Sequence, residues 1–153
     1  MSQTWSQRCL ERGSSVLLAS VDGKGMPACC RAIAVNSGDG FRTLTVYVPV
    51  ATSREIIANV ASSRRMAISV THPLEHYSVQ LKGTTTSIRL ARDDEQDFVE
   101  TRVLDFSDVL FEIGLPRKIT RSIAHWPAFA IDVNVEQVFE QTPGPNAGNP
   151  MSA

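Results

Sequence analysis

SVLLASVDGKGMPACCRAIAVNSGDGFRTLTVYV, residues 15–48, is the stretch whose reading decides the fold. Ser15–Val21 is a short apolar run, and Asp22-Gly23-Lys24-Gly25 after it is a strong turn signal. Pro27–Asn36 reads as the returning strand, with Pro27 at its start, where a missing N–H does least harm. Ser37-Gly38-Asp39-Gly40 is a second turn, and Phe41–Val48 alternates so that Leu44, Val46 and Val48 share one face. Three strands joined by two tight turns make an antiparallel meander. A parallel βαβ arrangement, which needs a helix between successive strands, is contradicted here.

Outward from this stretch the period changes. Thr52-Ser53-Arg54-Glu55 fits a capping box, with Thr52 as N-cap and Glu55 reaching back from the third helical position. Ile56, Ile57, Val60 and Ala61 form the apolar side of the helix that follows. Alternation returns in Arg65–Thr71, with Met66, Ile68 and Val70 on one face, and His72-Pro73 ends that strand. Tyr77–Leu90 is a longer β segment in which Gly83 marks a bulge or bend. Asp93-Asp94-Glu95 is an acidic helix start, suited to the positive end of the dipole. Val99, Val103, Phe106, Leu110 and Ile113 continue that helix until Gly114 and Pro116 end it. Residues 117–124 give a further helical turn or two, and Ala128–Phe139 is the last strand. Residues 3–12 read as a short amphipathic helix ended by Gly13, while the Pro/Gly-rich tail over 142–153 reads as irregular. The expectation is a mainly β chain: one domain over 1–153, a six-stranded antiparallel barrel with flanking helices.

Composition narrows the function. The 153 residues carry a formal net charge of -1, so no basic surplus points to nucleic acid or to an anionic membrane surface. The opening residues lack the apolar core of a signal peptide, and no apolar run approaches a membrane span. Three cysteines, with Cys29 and Cys30 adjacent, do not form a disulfide framework; reduced thiols fit the cytoplasm. Cys29 and Cys30 read as small residues filling strand positions rather than as reactive thiols. His72 and His76 are spaced like a zinc half-site, but Pro73 and a turn lie between them and no metal is expected. His125 reads as a packed or surface residue, and no Gly-x-Ser-x-Gly elbow supports a hydrolase. No catalytic residue is identifiable.

More informative is the join between the third strand and the capped helix. A helix N-terminus offers unpaired N–H groups and a partial positive charge, which suit a phosphate. Ser53 and Arg54 lie in its first turn, and Arg31 on the second strand is able to converge on the same point. The alternative is that Thr52 and Glu55 simply cap the helix while Arg54 is solvated.

The runs VDGKGMPACCRAIAV (21–35), LTVYVPVATSREIIANV (44–60), RRMAISV (64–70) and YSVQLKG (77–83) resemble the pyridoxamine 5'-phosphate oxidase-like FMN-binding split barrels. The closing VEQVFEQTPGPNAG (135–148) resembles the tail of an oxidase-related subgroup, so the likeness covers 15–90 and 127–148. It implies a six-stranded split barrel and a homodimer with two FMN sites at the subunit interface. Arg31, Ser53 and Arg54 would hold the flavin phosphate, and the backbone at Ala32, Ile33, Tyr47 and Val48 would flank the ring. Ser78 or Gln80 would reach its edge. Two departures matter. Glu55 stands where the oxidases have Lys, and the arginine-rich C-terminal segment that grips pyridoxal phosphate is absent. The resemblance therefore implies a flavoprotein oxidoreductase that does not oxidise vitamin B6. A deazaflavin or haem ligand, or a cofactor-poor binding or sensing module, is the alternative on the same scaffold.

Overall fold

The computed structural model describes Thr4, Ser6, Gln7 and residues 11–38 and 42–152. The expected first helix falls mostly outside these residues, with Ser6 and Gln7 helical. Strands β1 (Ser15–Val21) and β2 (Pro27–Ala32) form the first hairpin, and β3 (Ala34–Ser37) pairs with β4 (Thr43–Pro49). Helix α1 (Arg54–Ser63) follows, then β5 (Arg65–Thr71) and β6 (Ser78–Leu90). Helices α2 (Gln96–Glu112) and α3 (Arg117–Arg121) precede β7 (Ala128–Glu140) and the short β8 (Pro150–Met151). All pairings are antiparallel, and the strand order is β2-β1-β5-β6-β7-β4-β3, with β8 on β7.

The two ends of that path, β2 and β3, are consecutive in the chain with Ile33 alone between them, so the bent segment 27–37 ties the sheet into a split barrel. Among the described residues six strands are present when this segment counts as one; β8 is additional. The expected single strand Pro27–Asn36 thus breaks at Ile33, and inside/outside parity slips there. Cys30 and Ala32 face the barrel core, Ala34 joins a separate outer cluster, and Val35 faces the core again. Ile33 N–H donates to the Tyr47 carbonyl across the break (2.9 Å), so the kink leaves that amide paired.

The core is filled by the alternation read from sequence. Val16, Leu18, Leu44, Val46, Val48, Ile68, Val79, Leu81 and Ile131 are all buried within it. Ile56 and Val60 of α1 pack into the same core. Burying one such side chain contributes about 1.5–3 kcal/mol. On the outer face, α2 lays Val99 and Phe98 over Ala34, Tyr47 and Ala130. The pleat forces neighbours to opposite faces, so Tyr47 is covered by α2 while Val48 fills the barrel.

Gly83 sits at a register shift, where Lys82 pairs with Gln137 and Gly83 with Val135. A Cβ on Gly83 would overlap the Asn134 carbonyl oxygen, which is why the bulge needs glycine. The tail is less irregular than expected. Pro150 pairs with Phe139 and Met151 with Val138, and Asn149 O accepts the Glu140 N–H (2.9 Å). Among the described residues no helix is long and apolar enough to cross a membrane.

Candidate functional site

Pro49 ends β4, and Val50–Thr52 turn as a short 3-10 segment before α1. That turn absorbs Thr52, so the N-cap is Ser53 and the expected Thr52/Glu55 capping box does not form. Ser53 is fully buried, and its hydroxyl donates to the Pro49 carbonyl (2.7 Å) instead of capping the helix. No side chain caps α1. Its first-turn amides therefore keep the partial positive charge of a helix start without an internal acceptor. Arg54 and Glu55 both point to solvent in this turn, one charge of each sign.

Arg31 lies on the outer face of β2, opposite Leu17. One guanidinium nitrogen donates to Ser15 Oγ (2.9 Å), and the group stands 5.2 Å from the centre of the Phe106 ring on α2. It is half-buried, and among the described residues no ion pair joins it to a carboxylate. A partly desolvated cation without a counter-charge favours an anion. Arg31 borders an open cleft of about 360 Å³ with Cys29, Ile33, Pro49, Thr52 and Ile123. Second strand and helix junction therefore share one cleft wall. Ser53 and Arg54 follow Thr52 in the chain but are not on its lining.

The remaining candidates lie as follows. Ala32 faces the core, and Ile33 and Tyr47 are tied to each other through the backbone bond. Ser78 is buried, with its hydroxyl engaged by Thr71 Oγ1 (2.6 Å) and the Val70 carbonyl (3.3 Å). Gln80 is partly exposed and belongs to one cross-strand row: Arg31 opposite Leu17, Leu17 opposite Ser69, Ser69 opposite Gln80. Three strand spacings separate Arg31 from Gln80, about 14 Å along the sheet.

A polar cluster invisible in the sequence anchors the start of α2. Glu95 Oε1 accepts from Tyr47 OH (2.8 Å) and one Arg89 nitrogen (2.7 Å). Glu95 Oε2 accepts from the other Arg89 nitrogen (2.7 Å) and the Arg92 N–H (2.7 Å). The two-pronged Arg89 pairing, opposed by burial and helped by the Arg92 amide and Tyr47, holds the Glu95 carboxyl down at about 2. Burial, reinforced by the hydrogen bond to Glu95, pushes the Tyr47 phenol up to about 12. The cluster fixes the helix that carries Phe106 to Arg31.

Ser15 and Phe106 were not expected at the site. Ser15 was legible in principle, because the 17-to-31 register of the first hairpin makes it a diagonal neighbour of Arg31. Phe106 was not, since nothing local says where α2 docks. Cys29 is exposed beside Arg31, whereas Cys30 is buried, and burial followed by the neighbouring Cys29 raises its thiol to about 11. Cys9 lies outside the described residues. His72 stacks on Tyr77 with ring centres 5.6 Å apart, and His125 Nδ1 meets the Ile123 carbonyl at 2.8 Å. No group of three or more His, Cys, Asp or Glu among the described residues is placed to hold a metal ion.

No protein-family model matches the sequence. No curated protein matches it either. Solved structures do. A putative pyridoxamine 5'-phosphate oxidase from Lactobacillus delbrueckii superposes with a TM-score of 0.55 at 19% identity, over 90% of this chain and 93% of that one. An FMN-binding protein from Syntrophomonas wolfei superposes at 0.54 with 9% identity, over 82% and 76%. An F420 reductase superposes at 0.53 with 19% identity, over 90% and 98%. The fold is that of the pyridoxamine 5'-phosphate oxidase-like split barrels.

Proposed function

We propose that this split barrel is an FMN-binding flavoprotein that works as a homodimeric oxidoreductase in the cytoplasm, on a substrate other than a B6 vitamer. The observation that carries the reading is that Arg31, which has no ion pair among the described residues, lines one cleft with Pro49 and Thr52 of the turn that leads into the uncapped start of α1. Both features favour an anion, and a phosphate monoester suits them because its oxygens accept from a guanidinium fork and from helix amides together. Arg31 and the first-turn amides of α1 hold the phosphate, with Arg54 swinging in from solvent and Ser53 supporting the turn from beneath. Backbone at Ala32, Ile33, Tyr47 and Val48 lies beside the ring, and Gln80 is better suited than the engaged Ser78 to reach a ring edge. Bound FMN supplies the redox chemistry; the chain's own part is to orient it and exclude water.

The homodimer is supported by an apolar strip on the outer face of β1 and the neighbouring part of β2. Leu17 and Val21 are 39% and 47% exposed there, beside Ala19 and Cys29. A contiguous exposed apolar strip of this kind marks an interaction surface. Sedimentation of the chain as a monomer at micromolar concentration would remove that part of the proposal.

The test is direct. The visible spectrum of protein purified without added cofactor, followed by an FMN titration, should show flavin absorption and saturable quenching. Arg31→Gln should weaken FMN by about tenfold or more, the worth of a charge-assisted hydrogen bond. A colourless protein in which FMN is neither quenched nor raises Tm ends the flavin reading. The exposed Glu55 in the first turn of α1 favours a second reading, a cofactor-poor binding module. A large gain in FMN affinity in Glu55→Lys, from a wild type that binds poorly, would select it.

A further inference from the structure

Arg31 also floors a second, larger cleft, of about 460 Å³, between the barrel and the helical arm. Phe106 and Leu110 of α2, Leu115 of the connecting loop, Ile119 of α3 and Ile123 beyond it supply most of its wall. Leu115 and Ile119 are 39% and 58% exposed, so these side chains do not close on one another. The hydroxyls in the wall are already engaged: Thr120 Oγ1 with Ser107 Oγ (2.6 Å), Thr71 Oγ1 with Ser78 Oγ (2.6 Å), and Ser15 Oγ with Arg31 itself (2.9 Å). Among the described residues lining the cleft the one charged group is the Arg31 guanidinium, which turns a nitrogen toward Ser15 and lies over Phe106. The size is that of a small-molecule site, and the chemistry suits one: an open, mostly apolar cleft with one charged group to fix orientation.

We propose that this cleft binds an apolar carboxylic acid, its carboxylate on Arg31 and its hydrocarbon or aromatic body against Phe106, Leu110, Leu115 and Ile119. A neutral apolar ligand would leave a half-buried cation without a counter-charge. A small polar anion would leave the apolar wall wet. Only a molecule with both parts satisfies both surfaces. The acid approaches Arg31 from the α2–α3 side, whereas the phosphate site approaches it from the β4–α1 side, so the two ligands compete for one guanidinium.

The experiment titrates the full chain with naphthoate and with neutral naphthamide, which share an aromatic body, and follows ligand fluorescence. Naphthoate should bind at least tenfold tighter, and Arg31→Gln should abolish that preference while leaving naphthamide unchanged. Ile119→Glu, at an exposed position, should weaken naphthoate about tenfold or more and leave FMN binding as it was. Equal affinities for acid and amide, a preference that survives Arg31→Gln, or indifference to Ile119→Glu each overturns the proposal. Naphthoate binding without FMN binding would sink the flavin reading alone; FMN binding without naphthoate binding would sink this one alone.

Discussion

Replacing Glu95 by Gln is expected to be among the most damaging isosteric changes in this chain. The wild-type carboxylate is buried and meets four donors: two nitrogens of Arg89, the Arg92 amide and the Tyr47 hydroxyl. A carboxamide of the same shape turns one acceptor into a donor, so an NH₂ group faces N–H or O–H groups and at least one of them loses its partner. Breaking a buried ion pair by removing one member costs about 3–5 kcal/mol, and the lower end applies here because the Arg89 side chain is 34% exposed. The titration gives a second route to the magnitude. A carboxyl lowered from 4.5 to about 2 contributes roughly 3 kcal/mol at neutral pH, each pKa unit being about 1.4 kcal/mol. The sign follows from the direction. The folded value is depressed, so the stabilisation is fully present above pH 4.5 and is lost as pH falls toward 2. Urea unfolding at pH 7 should therefore show Glu95→Gln less stable by about 3 kcal/mol. Its stability should also fall less steeply than that of wild type between pH 4.5 and 2. A loss under about 1 kcal/mol, or parallel acid limbs in the two proteins, would refute the reasoning.

Other outcomes follow from single features. Tyr47, raised from 10.0 to about 12, should cost stability as pH rises through that interval, because the unfolded chain ionises its phenol first; tyrosinate absorbance of Tyr77→Phe protein should show the late titration. In a Cys9→Ser background at mildly alkaline pH, a maleimide should modify buried Cys30 only on unfolding; mass spectrometry reads the site. Gly83→Ala should lower stability by about 3 kcal/mol or more, since its methyl meets the backbone of Asn134, and thermal denaturation measures it.

Most of the barrel was legible because its core obeys a period of two. Leu44, Val46 and Val48, or Met66, Ile68 and Val70, have no other good arrangement than facing one core. The break at Ile33 was not legible. ACCRAIAV consists mainly of small apolar residues acceptable on either face, so nothing in the string marks where inside becomes outside. The helix after β4 was readable, but its cap was not. Choosing Ser53 over Thr52 depends on a tight turn that the preceding strand dictates. The Glu95 cluster joins residues from β4, β6 and the start of α2, and long-range polar pairing leaves no local trace in composition or spacing. Of the candidate site, Arg31 and the β4–α1 junction were read as neighbours from local chemistry and resemblance together, and they border one cleft. The aromatic ring beneath Arg31 depends on where α2 docks, which is decided by Tyr47 and Ala34 on a face the pattern alone would assign to solvent.

The one-residue slip at Ile33 also separates two registers. Because the pairing of β2 answers only to β1 and that of β3 only to β4, each hairpin sets its own alignment from its own turn. A residue gained or lost near Asp22 that moved β2 by one position would carry Arg31 to the core face and Cys30 to the outer one. The alignment of β3 on β4 is a separate pairing, so the damage would fall on the wall that β1 and β2 share.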